Sequence, residues 1–339
     1  VALMATALRI PSNYFRKHFK TQSMVIVFGI LGMFLCSSLL LFWLLPLSLP
    51  ESCLIGAIIT PTDPVVASTM VSGENAKRFL PARIRNTISF ESGVNDGLVY
   101  PLILLVFALI FPAQNLQNWV LKEFLFATVL CGFVAYVLGK LFGKLMHKSH
   151  GKGWMSNKAV LPFSLALAFL LLSGFNALGM NGIFSVFIGG FAFSSEISQN
   201  ETIQEERVQE SMDRVFTIPV FFIFGLLLPW KDWIDLGIWT SVSIILVIIL
   251  FRRIPSFLLF LRLTPQFKSK FKDQLLIGWF GPIGVAALYY AIVTLEKTKD
   301  DTAWIITSLV VMASTLIHGL SSLAFSKWYA KLVNKSNKE

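Results

Sequence analysis

The sequence predicts an all-α integral membrane protein, on three observations. Hydrophobic residues make up 55% of the 339 and charged residues only 14%, with a mean hydropathy of +0.68, beyond what burying a water-soluble core requires. Apolar runs of about 20 residues, the length a helix needs to cross roughly 30 Å of hydrocarbon, recur along the chain. Every second connection between those runs is rich in lysine and arginine. The runs are continuous rather than alternating with period 2, which points to helices rather than a closed barrel, the two structures that satisfy a backbone in lipid.

Ten full spans are predicted, at residues 23–45, 53–72, 87–111, 119–143, 159–178, 180–196, 215–230, 236–263, 274–295 and 302–326. Residues 1–10 read as the tail of an upstream span, so a partial span precedes the ten. Arg9, Arg16, Lys17 and Lys20 precede the first span; Lys77, Arg78, Arg83 and Arg85 follow the second; Lys144, Lys148, Lys152 and Lys158 follow the fourth. Arg207 and Arg214 follow the sixth, Lys268, Lys270 and Lys272 the eighth, and Lys327, Lys331, Lys335 and Lys338 the tenth. The connections around Pro50, Gln114, Gly179, Asp232 and Asp300 are poor in positive charge.

Basic connections mark the cytoplasmic side. The expectation is a multi-pass protein of a cell membrane, either a bacterial inner membrane or a plasma membrane, with a cytoplasmic C-terminus. This topology accounts for the net charge of +10 without a nucleic-acid partner. Cys36, Cys53 and Cys131 fall inside spans and are odd in number, so they suggest no disulfide framework. Residues 195–214 are charge-mixed with helical spacing and read as an interfacial helix. No signal peptide or lipidation motif is visible.

Ionisable residues inside spans are costly and point to function. The deep ones are Asp63, Glu91, Asp96, Arg252, Arg253 and His318. Asp63 sits in Thr60-Pro61-Thr62-Asp63-Pro64, where Pro61 and Pro64 remove two amide donors and displace the carbonyls of Ala57 and Thr60, so the second span should be interrupted there. Gly281, Pro282 and Gly284, inside the run 278–284, mark a second interruption in the ninth span. Broken helices in both halves of a chain point to an inverted-repeat secondary transporter with its site at the bilayer midplane.

Between the breaks lies Glu91-Ser92-Gly93-Val94-Asn95-Asp96-Gly97. On a helix Ser92, Asn95 and Asp96 share a face, with Glu91 one turn from Asn95. Such oxygen ligands suit a small monovalent cation or a proton.

These residues resemble the monovalent cation/proton antiporters of the NhaP kind, the sodium/proton exchangers, in the subgroup with a Gly-Pro-Ile-Gly motif. The resemblance covers nearly the whole chain and is carried by residues 60–65, 91–97, 252–255 and 273–287. It implies an inverted-repeat antiporter fold with two crossing broken helices, and an interface domain that pairs two protomers into a homodimer. The implied division is residues 1–22 as an upstream remnant and loop, 23–112 and 231–326 as the ion-translocating core, 113–230 as the interface domain, and 327–339 as a cytoplasmic tail.

The resemblance further implies that Asp96 binds the monovalent cation, as its metal ligand, with Ser92, Asn95 and the backbone near Thr62, beside Asp63. It pairs Glu91 with an arginine of a late core helix, placed at Arg253 in preference to Arg252. Relatives place a further acidic ligand on their third helix, and the positions of that helix present here contain none; many also have arginine where this chain has Ile283.

A lone buried carboxylate requires a positive partner, and a proton and a cation compete for that place. The function expected is antiport of Na+, or K+ or Li+, against H+ by alternating access, with no cofactor and no enzymatic step. With Asn95 in place of a second titrating carboxylate, the exchange should be electroneutral. A cation channel or another ion-coupled secondary transporter is the alternative. An intramembrane protease is not indicated, since neither Gly-x-Gly-Asp nor Gly-x-Ser-x-Gly occurs.

Overall fold

The computed structural model describes residues 1–110, 116–153 and 162–336, which form helices and no strand. Gln114, Lys158, Lys338, the 112/113 boundary and the start of the fifth expected span lie outside the described residues. In chain order the principal helices are α1 (Ala2–Arg9), α2 (Phe19–Leu44), α3 (Leu49–Ile58), α4 (Pro64–Val71), α5 (Ala82–Ile110), α6 (Leu116–Gly151) and α7 (Phe163–Ala177). They continue with α8 (Gly182–Ser194), α9 (Gln199–Leu226), α10 (Ile238–Phe251), α11 (Ile254–Leu261), α12 (Phe271–Trp279), α13 (Val285–Thr298) and α14 (Thr302–Ser336).

Among the described residues five helices are long and apolar enough to cross a membrane: Phe19–Leu44, Ala82–Ile110, Leu116–Gly151, Ile238–Leu261 and Thr302–Val333. The other expected spans are interrupted, short or half polar. Those at 53–72 and 274–295 are each cut in two, and Phe163–Ala177 and Gly182–Ser194 are shorter apolar helices. The expected interfacial helix at 195–214 and the span at 215–230 are not separate, because helical spacing runs through their junction and produces the single helix α9, with Pro219 inside it. The span at 236–263 bends where α10 ends and Pro255 opens α11, placing Arg252 and Arg253 at the junction.

Two compact units are formed, Val1–Lys17 with Asp96–Gly225, and His18–Asn95 with Leu226–Glu339. The division falls inside α5, between Asn95 and Asp96. In the first unit α8 packs on α1, α6 and α7, and small residues permit the close approach that drives helix association in lipid. A side chain at Gly139 would collide with the Gly189 backbone, and one at Gly190 with Met4. Asn181 caps α8 through the Phe184 amide at 3.0 Å and donates its Nδ2 to the Gly97 carbonyl at 2.8 Å, next to Asp96 in the chain.

In the second unit α2 packs on α3, α10 and α11, and α14 packs on α3, α4, α10, α12 and α13. Its core includes Met33, Met70, Ile84, Phe257, Ile277 and Phe280. A capping box opens α3: the Glu51 amide donates to Ser48 Oγ at 3.4 Å and the Ser48 amide to Glu51 Oε2 at 2.8 Å. At the start of α12, Asp273 receives Arg83 Nε at 2.6 Å and the Tyr329 hydroxyl at 2.6 Å, tying α5 and α14 to the first turn of the late broken helix.

Candidate ion site

The first break spans residues 59–63. Pro61 has no amide to continue α3, and the chain restarts with Asp63 as the N-cap of α4 and Pro64 at its first position. Asp63 Oδ1 accepts the Val65 amide at 2.7 Å. Of the two carbonyls expected to be displaced, that of Ala57 accepts the Thr60 amide at 3.1 Å in a tighter turn, and that of Thr60 accepts from Arg252.

The second break spans residues 280–284. The Asp63 amide donates to the Pro282 carbonyl at 2.7 Å, so the two breaks touch through their backbones. Gly284 lies against the Asp63 carboxylate so closely that any Cβ at 284 would overlap Oδ2 and Cγ.

Arg252 is 3% exposed, and among the described residues its hydrogen bonds go to backbone carbonyls. Its Nη1 donates to the carbonyls of Ile59 at 2.6 Å and Thr60 at 3.1 Å, and its Nη2 to that of Gly281. These carbonyls follow the C-terminal ends of α3 and α12, where two helix dipoles present partial negative charge, and a guanidinium offsets both. Asp63 has the opposite place: its carboxylate caps α4 and lies against Gly284, the residue that opens α13. Sequence reasoning gave Arg252 no part in the breaks, because a side chain that binds carbonyls leaves no partner residue type to search for. Its only trace was an arginine deep in an apolar span.

Glu91, Asn95, Thr62 and Arg253 are joined in one buried network. Arg253 Nη1 meets Glu91 Oε1 at 2.7 Å, with side-chain exposures of 2% and 1%. The same Glu91 oxygen accepts Asn95 Nδ2 at 2.8 Å, and Glu91 Oε2 accepts the Thr62 hydroxyl at 3.2 Å. Asn95 Nδ2 also donates to Thr62 Oγ1 at 2.7 Å, while Asn95 Oδ1 accepts the Thr62 amide at 3.2 Å. Arg253 donates Nε to the Ile277 carbonyl at 3.0 Å, and its guanidinium carbon lies 3.8 Å from the centre of the Phe257 ring. Gly281 is required here, since a side chain would occupy the space of Arg253 Cδ and Nε.

Ser92 is buried, and its hydroxyl turns back on its own helix to the Ile88 carbonyl at 2.9 Å rather than into this network. Asp96 follows Asn95 on α5 and is 5% exposed. Ile283 is fully buried, with its amide on Ser314 Oγ at 2.8 Å. Chemically, the arrangement is an oxygen-rich helix break closed by a buried ion pair.

A family model described as the transmembrane sodium/hydrogen exchanger matches residues 1–328. Na(+)/H(+) antiporter 2 of Zygosaccharomyces rouxii is 31% identical over 352 residues, covering 94% of this chain and 43% of the yeast protein. The Na(+)/H(+) antiporter of Saccharomyces cerevisiae is 30% identical, covering 94% of this chain and 36% of that protein. The K(+)/H(+) antiporter NhaP2 of Shewanella baltica is 26% identical over 291 residues, covering 82% of this chain and 47% of its own length. The chain therefore spans less than half the length of these relatives. The solved sodium proton antiporter MjNhaP1 of Methanocaldococcus jannaschii has the same fold, with a TM-score of 0.72 at 19% identity, covering 97% of this chain and 82% of that one.

Proposed function

The chain belongs to the transmembrane sodium/hydrogen exchanger family, and from that premise we propose that it exchanges a monovalent cation for a proton across a cell membrane by alternating access. The observation that carries the reading is the buried network of Thr62, Glu91, Asn95 and Arg253 at a helix break, immediately before Asp96. In that network Asn95 and Glu91 spend their polar atoms on each other, on Thr62 and on Arg253, which leaves Asp96 the role of exchangeable carboxylate. A proton and a cation compete for it, so one enters as the other leaves. Because the neighbour is an amide, one positive charge is traded for another and the cycle is electroneutral. Thr62 and Ser92 are assigned to the cation beside Asp96, and Asp63 to the helix starts at its edge.

Na+ is the leading cation and K+ an alternative, in keeping with the names of the relatives, and Li+ is a further alternative. The basic connections support a cytoplasmic C-terminus, and the family resemblance supports a homodimer paired through residues 113–230.

Asp96→Asn tests the reading. An amide holds neither a proton nor the charge of a cation, so the variant should insert normally and lose cation-driven proton flux in proteoliposomes. Flux at the wild-type rate would refute it.

A further inference from the structure

The second break is held from a side that this exchange scheme does not use. Ser314 and His318 lie one turn apart on α14, at 0% and 2% exposure. Ser314 Oγ accepts the Ile283 amide at 2.8 Å and lies 3.1 Å from His318 Nδ1. His318 Nε2 lies 3.2 Å from the Trp279 carbonyl oxygen. The imidazole is flanked by Trp279 and Phe280, with ring centroids at 5.6 and 5.7 Å.

His318 Nδ1 also lies 2.9 Å from the Ser314 carbonyl oxygen, and a carbonyl oxygen only accepts, so the ring nitrogens face the carbonyls of both Ser314 and Trp279. The Ser314 hydroxyl oxygen accepts from the Ile283 amide and lies against the same Nδ1. Together they form one chain of contacts, from the Trp279 carbonyl at the end of α12 through the ring and the Ser314 hydroxyl to the amide just before Gly284. This chain fastens both sides of the break to α14. The residues between carry the Gly281 carbonyl that meets Arg252 and the Pro282 carbonyl that meets the Asp63 amide. A shift of 280–284 is therefore transmitted to the first break, to Thr62 and to Asn95.

We propose that Ser314 and His318 are positioning residues for exchange, which set the path of the second helix break and through it the geometry at Thr62. This rests on the exchanger reading of the site. Glutamine at 318 retains one donor group and one acceptor group for these contacts, whereas leucine supplies neither.

The test uses the full chain in proteoliposomes and compares Ser314→Ala, His318→Leu and His318→Gln with wild type. Amide hydrogen exchange of the peptide containing Ile283 should rise about tenfold in Ser314→Ala and His318→Leu, the factor that loss of one hydrogen bond produces, and stay near wild type in His318→Gln. The apparent KM for the cation should rise by a similar factor of about ten in the first two and be restored by glutamine. Unchanged protection and KM in Ser314→Ala, or a glutamine variant as impaired as leucine, overturns the proposal. If His318→Leu does not fold, Ser314→Ala, which removes a single oxygen, decides alone. A wild type without cation-driven proton flux sinks the exchange reading, and protection at Ile283 then still decides whether the pair holds the break.

Discussion

Glu91 touches three separate elements, through Arg253 at the α10–α11 junction, Thr62 in the first break and Asn95 on its own helix. Its removal leaves a guanidinium buried without its charge partner, a change that costs about 3–5 kcal/mol. Glu91→Ala should lower thermal stability in detergent by that order, and Glu91→Ala with Arg253→Ala should lose less than the sum of the single losses. Strict additivity would mean that the pair is not coupled. Asn95 has a sharper consequence than its sequence position conveys. Its Nδ2 donates to Glu91, so Asn95→Asp replaces a donor with an acceptor facing a carboxylate, and the two acids should share a proton as paired acids do. An Asn95→Asp protein that still transports should generate a membrane potential where the parent generates none; exchange with and without a potassium-valinomycin clamp measures it, and equal insensitivity to the clamp removes Asn95 from the stoichiometry. Their types and spacing in a span were legible as candidates for one site. What they bond to was not: Ser92 faces its own helix, and Arg252 serves carbonyls, which every residue carries.

At the scale of the element, the prolines and glycines were the legible part. Pro61 and Pro64 remove amides wherever they stand, and the structure interrupts the helix between Ile58 and Pro64. The junction at Arg252 and Arg253 was less visible, because Pro255 stands where it can open a helix as well as break one, and only packing separates the two outcomes. Gly284 shows how tightly the breaks are fitted. Gly284→Ala would drive a methyl group into the Asp63 carboxylate, and overpacking of this kind costs about 1–3 kcal/mol. The expected outcome is a lower unfolding temperature together with reduced exchange. By contrast Gly174→Ala, at a position with open space around its Cα, should leave exchange unchanged. Equal behaviour of the two alanine variants would show that the fit at 284 is unimportant.

For the whole molecule, hydropathy specified a multi-pass helical protein, and charge asymmetry predicts which connections share a side. Hydropathy says nothing of where a run will be cut or fused, since a window average treats Asp63 and its neighbours as a small dip in an apolar stretch. The side assignment is open to direct measurement. In a chain without Cys36, Cys53 and Cys131, a cysteine at Lys77 should react with an impermeant maleimide only from the cytoplasm, and one at Asp300 only from the opposite face. Both positions are exposed, so labelling of both from one side would reverse the charge argument.

The grip of Arg252 on the first break also has a consequence in time. The Ile59 carbonyl and its guanidinium donor are 193 residues apart, and during synthesis at about 5–20 residues per second that separation is a wait of roughly 10–40 s. For that interval the early half-helices have emerged from the ribosome without the donor that completes them, and their carbonyls cannot be left bare in hydrocarbon. The nascent chain must therefore keep residues 59–63 wet or shielded until Arg252 arrives. Ribosome-bound intermediates of this chain that end before Arg252 should be cleaved by protease near residues 59–63 faster than those that extend beyond it.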